Sequence, residues 1–479
     1  MKFKATYLFG IILLLFSAGV SQNTFAQPSL GVVWDTPTDT ATAKEQLHLF
    51  SELGVTHLEI DHSLSDPMLS VLANTDLTIL VRSDNYYLTL SKLQENREQL
   101  TQEYIALAEQ FRSILNVGGL GLLSHSQTQH SSFSEVFEPV LDTLSAYSNK
   151  SLYYYHRDEW FSFNNPVQPF GTLYSDQDYR ESDLSDFHSV MQSFTAGDAN
   201  RLLFVHSEWL LDATEQYPEL SNSLIEYRDN QTWELPLPDG QAQSSPSNWM
   251  VFILLVLWVA LALQVKYLPY VRPMILRYFL AHRFFVDDIL HYRERYFTSG
   301  ILMMVKHAIF GGLTTYIVAQ ILFSEFGVAA FYHHLPWIAI TGTNYFSFFF
   351  FGLILVLLTQ LIALLWLHLP AKNLEHFSQT INLYSGIFYL DYLIITLMTT
   401  LFTAGIGTTL NLILASIYVI IWFGAFNLAA FDASKNMGSN RTIYLLLTIG
   451  LHTTLSIAIV LFVLLNTEIF EILDLAISL

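Results

Sequence analysis

Two hydrophobic patterns divide the chain near residue 248. Before it, short apolar runs alternate with stretches of helical spacing. Gly31 to Trp34, Val55 to Ile60, Leu77 to Val81, Gly118 to Leu123, Leu152 to Tyr155, Gly171 to Tyr174 and Leu202 to Val205 read as strands. Residues 44–53, 67–72, 88–115, 133–147 and 182–194 read as helices. Strands separated by helices imply βαβ units around a parallel sheet. Seven or eight units in about 210 residues predict an α/β fold, a (β/α)8-like barrel, with a doubly wound open sheet as the alternative.

After Asn248 the pattern changes to long apolar segments at about 249–265, 300–323, 344–368, 383–402, 409–430 and 442–466. Crossing about 30 Å of hydrocarbon takes roughly 20 residues as a helix. The segments therefore predict an all-α bundle of six transmembrane helices over 249–466, followed by a tail, 467–479. Residues 241–248 are polar and serine-rich and read as a linker, leaving 27–240 as the barrel.

The N-terminus adds a compartment. Lys2 and Lys4 precede the apolar run from Tyr7 to Phe16, and Thr24-Phe25-Ala26 offers a cleavage point. Residues 1–26 read as a signal peptide, with an uncleaved anchor helix as the alternative. The chain has no cysteine. Disulfides, thiolate metal sites and a cysteine nucleophile are thereby excluded.

Charge orients the layout. Residues 1–247 hold 32 Asp and Glu against 12 Lys and Arg, while the rest is formally neutral. So acidic a domain repels phosphate backbones, which argues against nucleic acid as a partner. Lys266, Arg272, Arg277, Arg283, Arg293 and Arg295 crowd the loop 266–299, and Lys372, Lys435 and Arg441 occupy the alternate loops. Loops 324–343 and 403–408 and the tail hold no Lys or Arg. By the positive-inside rule, loop 266–299 faces the cytoplasm and the acidic domain lies outside a bacterial cytoplasmic membrane. The same loop mixes bases with Tyr278, Phe279, Phe284 and Phe285, the composition of a helix lying against anionic lipid. An ordinary positive-inside loop is the competing reading.

Within the spans, polar groups are costly and are functional candidates by default. Asp391, His452, Lys306 and His307 stand out, with Gln320, Gln360, Asn411 and Asn427 as weaker points. Asp391 with His452 or Lys306 supplies groups for a proton or cation pathway. Buried pairs that only fix helix packing are the simpler alternative. There is no inverted repeat and no visible pair of broken helices of the transporter kind.

Two resemblances follow from particular residues. Gly31-Val32-Val33-Trp34-Asp35, then Leu49 to Ile60 with the step Leu53-Gly54-Val55, resemble the opening of the barrel glycosidase superfamily. Just after the first span, Arg272-Pro273 and His282-Arg283-Phe284-Phe285 resemble an uncharacterised family of multi-span bacterial envelope proteins. The first implies a glycosidase-like barrel, not glycosidase activity; in the families it resembles, the catalytic carboxylates lie after strands 4 and 7. After the predicted strand 4 the chain reads Leu123-Ser124-His125-Ser126-Gln127, with no carboxylate. After strand 7 it reads His206-Ser207-Glu208-Trp209, so Glu208 takes the nucleophile position without its acid partner. Asp35, Glu59, Asp61, Asp84, Asp158 and Asp176 also lie near strand ends.

Sugar binding asks for less: flat aromatic faces and hydrogen-bonding groups. Trp34, Tyr86, Tyr87, Tyr155, Trp160 and Trp209 provide the first, and Asp35, Glu59, His62, Arg82, His125, His156, Arg157 and His206 the second. No HxH or HExxH spacing marks a metal site, and no cofactor motif is present. The reading is an envelope membrane protein with a non-catalytic glycan-binding or scaffolding barrel, whose partners are the lipid bilayer and a glycan or envelope protein. A membrane-anchored glycoside hydrolase and a transporter-like bundle with an outer recognition domain are the alternatives.

Overall fold

The computed structural model describes residues 29–83, 88–124, 133–156, 159–174, 179–181, 183–196, 201–237, 249–268, 270–295, 297–435, 437 and 440–477. These form two compact units that divide between Ser244 and Ser245, apart from residues 89–91, which cluster with the second. Segments 1–26 and 241–248, read above as signal peptide and linker, lie outside the described residues, as do Asp84, Tyr86, Tyr87, His125, Arg157, Asp158 and Asp176.

The first unit is a closed barrel of eight strands in sequential order. They are β1 (Ser29–Val33), β2 (Val55–Asp61), β3 (Thr78–Arg82), β4 (Val117–Ser124), β5 (Ser151–His156), β6 (Glu159–Ser162), β7 (Asn165–Tyr174) and β8 (Leu202–His206). Helices α1 (Thr40–Glu52), α2 (Asp66–Leu72), α3 (Leu90–Glu95), α4 (Arg97–Gln110), α5 (Phe133–Tyr147), α6 (Asp183–Thr195), α7 (Ser207–Gln216) and α8 (Pro218–Asn230) connect and follow them. The Asp39 carboxylate caps α1 by accepting from the Thr42 amide at 3.0 Å, which satisfies one free helix-end donor.

The barrel is not eight repeats of strand and helix. β5 pairs antiparallel with β6, and β6 antiparallel with β7, whereas all other neighbours are parallel. The expectation of an all-parallel ring is corrected at this hairpin. Its signal in the sequence is weak because Glu159–Ser162 is only four residues long. The turn that follows, with Asn164-Asn165-Pro166, reads as loop.

Alternate residues of each strand point inward. Val33, Leu80, Tyr153, Trp160, Leu202 and Phe204 form one cluster, with Tyr155, Phe170 and Leu173 against it. Glycine makes room for the large rings. A Cβ at Gly121 would lie 2.8 Å from the Tyr153 ring, and one at Gly171 would lie 2.7 Å from Phe204. The interior is therefore filled rather than hollow.

The second unit is helical: α9 (Trp249–Tyr267), α10 (Val271–Leu280), α11 (His282–Leu290), α12 (Thr298–Leu322), α13 (Glu325–His334), α14 (Phe346–His368), α15 (Phe377–Ser385), α16 (Asp391–Thr403), α17 (Thr408–Ala433), α18 (Arg441–Leu445), α19 (Leu451–Leu465) and α20 (Thr467–Ala476). A 3-10 turn over Gly386–Leu390 joins α15 to α16, and a π turn over Leu446–Gly450 joins α18 to α19. Taken with those joins, six helical segments among the described residues are long and apolar enough to cross a membrane. They match the six predicted spans within a few residues, except that the fourth starts earlier, at Phe377. The chain is thus a membrane protein with a barrel domain. Segment 324–343, read as a loop, contains α13, and the tail contains α20.

α12 is the central helix. Buried positions make up 61% of an apolar 18-residue stretch of it, against 6% for such a stretch of the sixth span, whose apolar surface is left for lipid. Small residues let α12 and α14 approach closely: a Cβ on Gly352 would lie 2.0 Å from the Thr315 hydroxyl, and one on Gly312 would lie 2.7 Å from the Phe349 carbonyl oxygen.

Candidate functional site

In the barrel, the site residues divide by strand parity. Glu59, on β2, points inward and is 1% exposed. Its Oε1 accepts two hydrogen bonds, from the Tyr153 hydroxyl and from Trp160 Nε1, each at 2.9 Å. Its Oε2 lies 3.8 Å from an Arg82 guanidinium nitrogen. Arg82 ends β3, and its side chain keeps 35% of its exposure, so the cation reaches solvent while its counter-ion stays inside. The pairing of Glu59 with Arg82 across adjacent strands follows from register, because Glu59 stands opposite Leu80 and Asp61 opposite Arg82. The structure therefore brings together three of the sequence candidates: Glu59, Arg82 and Trp160.

The rings continue this cluster. Tyr155 lies 4.9 Å from Trp160, and Trp160 stacks on Phe204 at 4.1 Å. Asp61, His62 and His206 are half-buried at or just beyond the same strand ends. The His62 imidazole lies 3.2 Å from the Asp61 carboxylate. Tyr153 is the member that sequence reading missed. Its signal was its spacing of two from Tyr155, which puts both on one face of β5.

The remaining barrel candidates face elsewhere. Trp34 points outward, donating from Nε1 to Gln46 at 2.8 Å and meeting Phe50 edge-on, so it packs β1 on α1. Trp209 is fully buried on α7, 4.7 Å from Phe187 of α6 and 5.1 Å from Tyr174. Both tryptophans are interlayer packing rather than open faces. Asp35 is exposed, and its amide donates to Ser207 Oγ at 3.1 Å, which ties the end of β1 to the start of α7. Glu208 is exposed on the first turn of α7, where a carboxylate complements the positive end of the helix. His156 ends β5, opposite Glu159. No cluster of three metal-ligating side chains occurs among the described residues.

In the second unit the three intramembrane candidates separate. Asp391 and His307 are fully buried, with His307 Nδ1 2.6 Å from Asp391 Oδ2. Lys306 instead donates from Nζ to Gln264 at 2.6 Å, and Gln264 continues to Ser299 Oγ at 2.7 Å. His452 stacks on Phe426 at 4.1 Å and Phe423 at 4.7 Å. The partner of Asp391 is thus neither of the two suggested by sequence. The overlooked signal was the series Gly300, His307, Gly311 and Thr314, whose spacing puts His307 on the packed stripe of its helix.

At the other polar cluster, Asp432 is buried and takes His282 Nε2 at 2.8 Å and Lys435 Nζ at 2.7 Å. α10 and α11 expose Leu276, Phe279, Leu280 and Phe284 beside Arg272, Arg277 and Arg283. Compared with known proteins, the chain matches no protein-family model and no curated protein.

Proposed function

We propose that this is a membrane-anchored envelope protein whose barrel binds a glycan at the C-terminal ends of its strands without cleaving it. The observation that carries this reading is the set Glu59, Arg82, Tyr153 and Trp160. The buried carboxylate is already engaged by a hydroxyl and an indole, and Arg82, 3.8 Å from it, remains part-exposed at the end of β3, while Tyr155, packed on Trp160, is half-buried. A part-exposed guanidinium and a half-buried tyrosine at the strand ends suit sugar hydroxyls. Hydrolysis asks for two carboxyl groups flanking one bond. Glu59 is occupied inside the barrel, and Glu208 sits exposed on a helix.

Binding of the full-length protein in lipid nanodiscs to a panel of envelope glycans tests the reading. At least one glycan should bind, and Arg82→Met should weaken it tenfold or more while Glu208→Gln leaves it unchanged. No binding to any glycan sinks the proposal. Turnover of an aryl-glycoside that is lost in Glu208→Gln replaces it with a hydrolase.

The proposal includes the orientation, with the barrel outside and loop 266–299 in the cytoplasm, because the bases cluster in alternate loops. The cysteine-free chain allows a direct check. In intact cells, a membrane-impermeant maleimide should label Glu208→Cys and spare Arg283→Cys. The reverse pattern overturns the orientation.

A further inference from the structure

We propose that the His307–Asp391 pair is a proton-exchange site inside the helical unit. His307 lies nine residues beyond Thr298, about 14 Å along α12 at 1.5 Å per residue. Its ring stacks on Phe388 with centroids 3.8 Å apart and planes 11° apart, and lies 5.0 Å from Tyr418 and 6.3 Å from Trp422. The ionisable groups in electrostatic reach of Asp391 are His307 on α12, Tyr384 on α15, Tyr392 on its own helix and Tyr418 on α17. Lys306 sits next to His307 in sequence but is turned to Gln264 on α9 and lies 5.8 Å from the Tyr392 ring centre.

The hydrogen-bond inventory of the pair is short of protons. With Nδ1 donating to Asp391 Oδ2, Nε2 is left as an acceptor. The nearest hydroxyl is that of Tyr418, 3.5 Å from Nε2, but its single proton goes to the His307 carbonyl oxygen at 2.8 Å. Asp391 Oδ1 is buried with no hydrogen-bond partner among the described residues. A neutral imidazole on an ionised carboxylate therefore presents two vacant acceptors and no donor for either. Buried polar atoms are rarely left so, because each unmade bond costs desolvation without return.

One proton fills the first of these vacancies and cancels the net charge of the buried pair, although Oδ1 keeps no donor. Taken from water onto Nε2, it converts the pair to imidazolium and carboxylate, and the existing Nδ1 bond becomes charge-assisted. The flanking ring face of Phe388 favours a cation over a neutral ring. Loss of the same proton to water restores the starting pair, so the cycle balances without another reactant.

The test is nitrogen NMR of full-length protein in nanodiscs with labelled histidine, between about pH 5 and about pH 9, the range in which histidine changes charge. One histidine signal should pass from neutral to doubly protonated, and that signal should be absent in His307→Gln. In Asp391→Asn its proton affinity should fall at least tenfold, because the carboxylate that holds the cation is gone. If no signal lost in His307→Gln titrates in the wild type, the proposal is overturned. Should His307→Gln fail to fold, Asp391→Asn decides: an unchanged set of histidine titrations equally overturns it.

Discussion

Trp160 Nε1 donates to Glu59 Oε1 across the barrel interior, a 2.9 Å bond between residues 101 positions apart. The bond joins β6, the antiparallel strand, to β2. It makes the hairpin part of the interior rather than a decoration on its rim.

Replacing Glu59 with Leu should therefore be costly, since it strands the Trp160 and Tyr153 donors and removes the carboxylate 3.8 Å from Arg82. Each buried donor left unpaired costs about 1–3 kcal/mol. Glu59→Gln keeps the Oε1 acceptor and should cost far less. Tryptophan fluorescence during urea unfolding measures both; equal losses would show that the Oε1 bonds carry little stability.

Asp391→Ala should destabilise the helical unit strongly. Removing one partner of a buried ion-pairing set typically costs about 3–5 kcal/mol, because the other is left uncompensated. The double variant Asp391→Leu with His307→Phe should lose less than the sum of the single losses. Unfolding by a denaturing detergent gives the coupling, and strict additivity would mean that the two residues act independently.

Gly352→Ala should force α12 and α14 apart, as its Cβ would lie 2.0 Å from the Thr315 hydroxyl and 2.9 Å from the Gly311 carbonyl oxygen. Overpacking of this kind costs about 1–3 kcal/mol. Gly424→Ala is the control, with no atom within 4 Å of the added Cβ. Thermal midpoints in one detergent compare them; a tolerated Gly352→Ala refutes the close approach.

The barrel should weaken mildly in acid through His57. Burial holds its imidazole below the ordinary histidine range, so the folded state binds this proton less readily than the unfolded one. The contribution of the neutral ring is fully present above the unfolded value near 6.5 and declines as pH falls below it. In His57→Gln the drop in thermal midpoint between about pH 7.5 and about pH 5 should be smaller than in the wild type. An equal drop assigns the acid sensitivity to other groups.

The sequence by itself determined the features set by local pattern. Span length and apolarity fixed six membrane-crossing helices, because a helix in lipid must satisfy its own backbone and so needs one long continuous run. Short apolar runs located seven of the eight barrel strands, and the pattern marked Glu59, Arg82 and Trp160 as polar or aromatic residues near strand ends. It also marked Asp391 and Lys306 as charges inside spans.

Only the tertiary structure decided which of these meet. β6 is too short to announce itself, and it becomes a strand because β5 and β7 both pair with it. Trp34 and Trp209 resemble Trp160 in sequence, yet barrel closure turns them toward the helices and turns Trp160 toward Glu59. Along α12, Lys306 and His307 are neighbours, but 100° per residue sends one to Gln264 and the other to Asp391. Partner choice depends on register and helix rotation, which are settled by the packing of distant segments and leave no mark at the residues themselves.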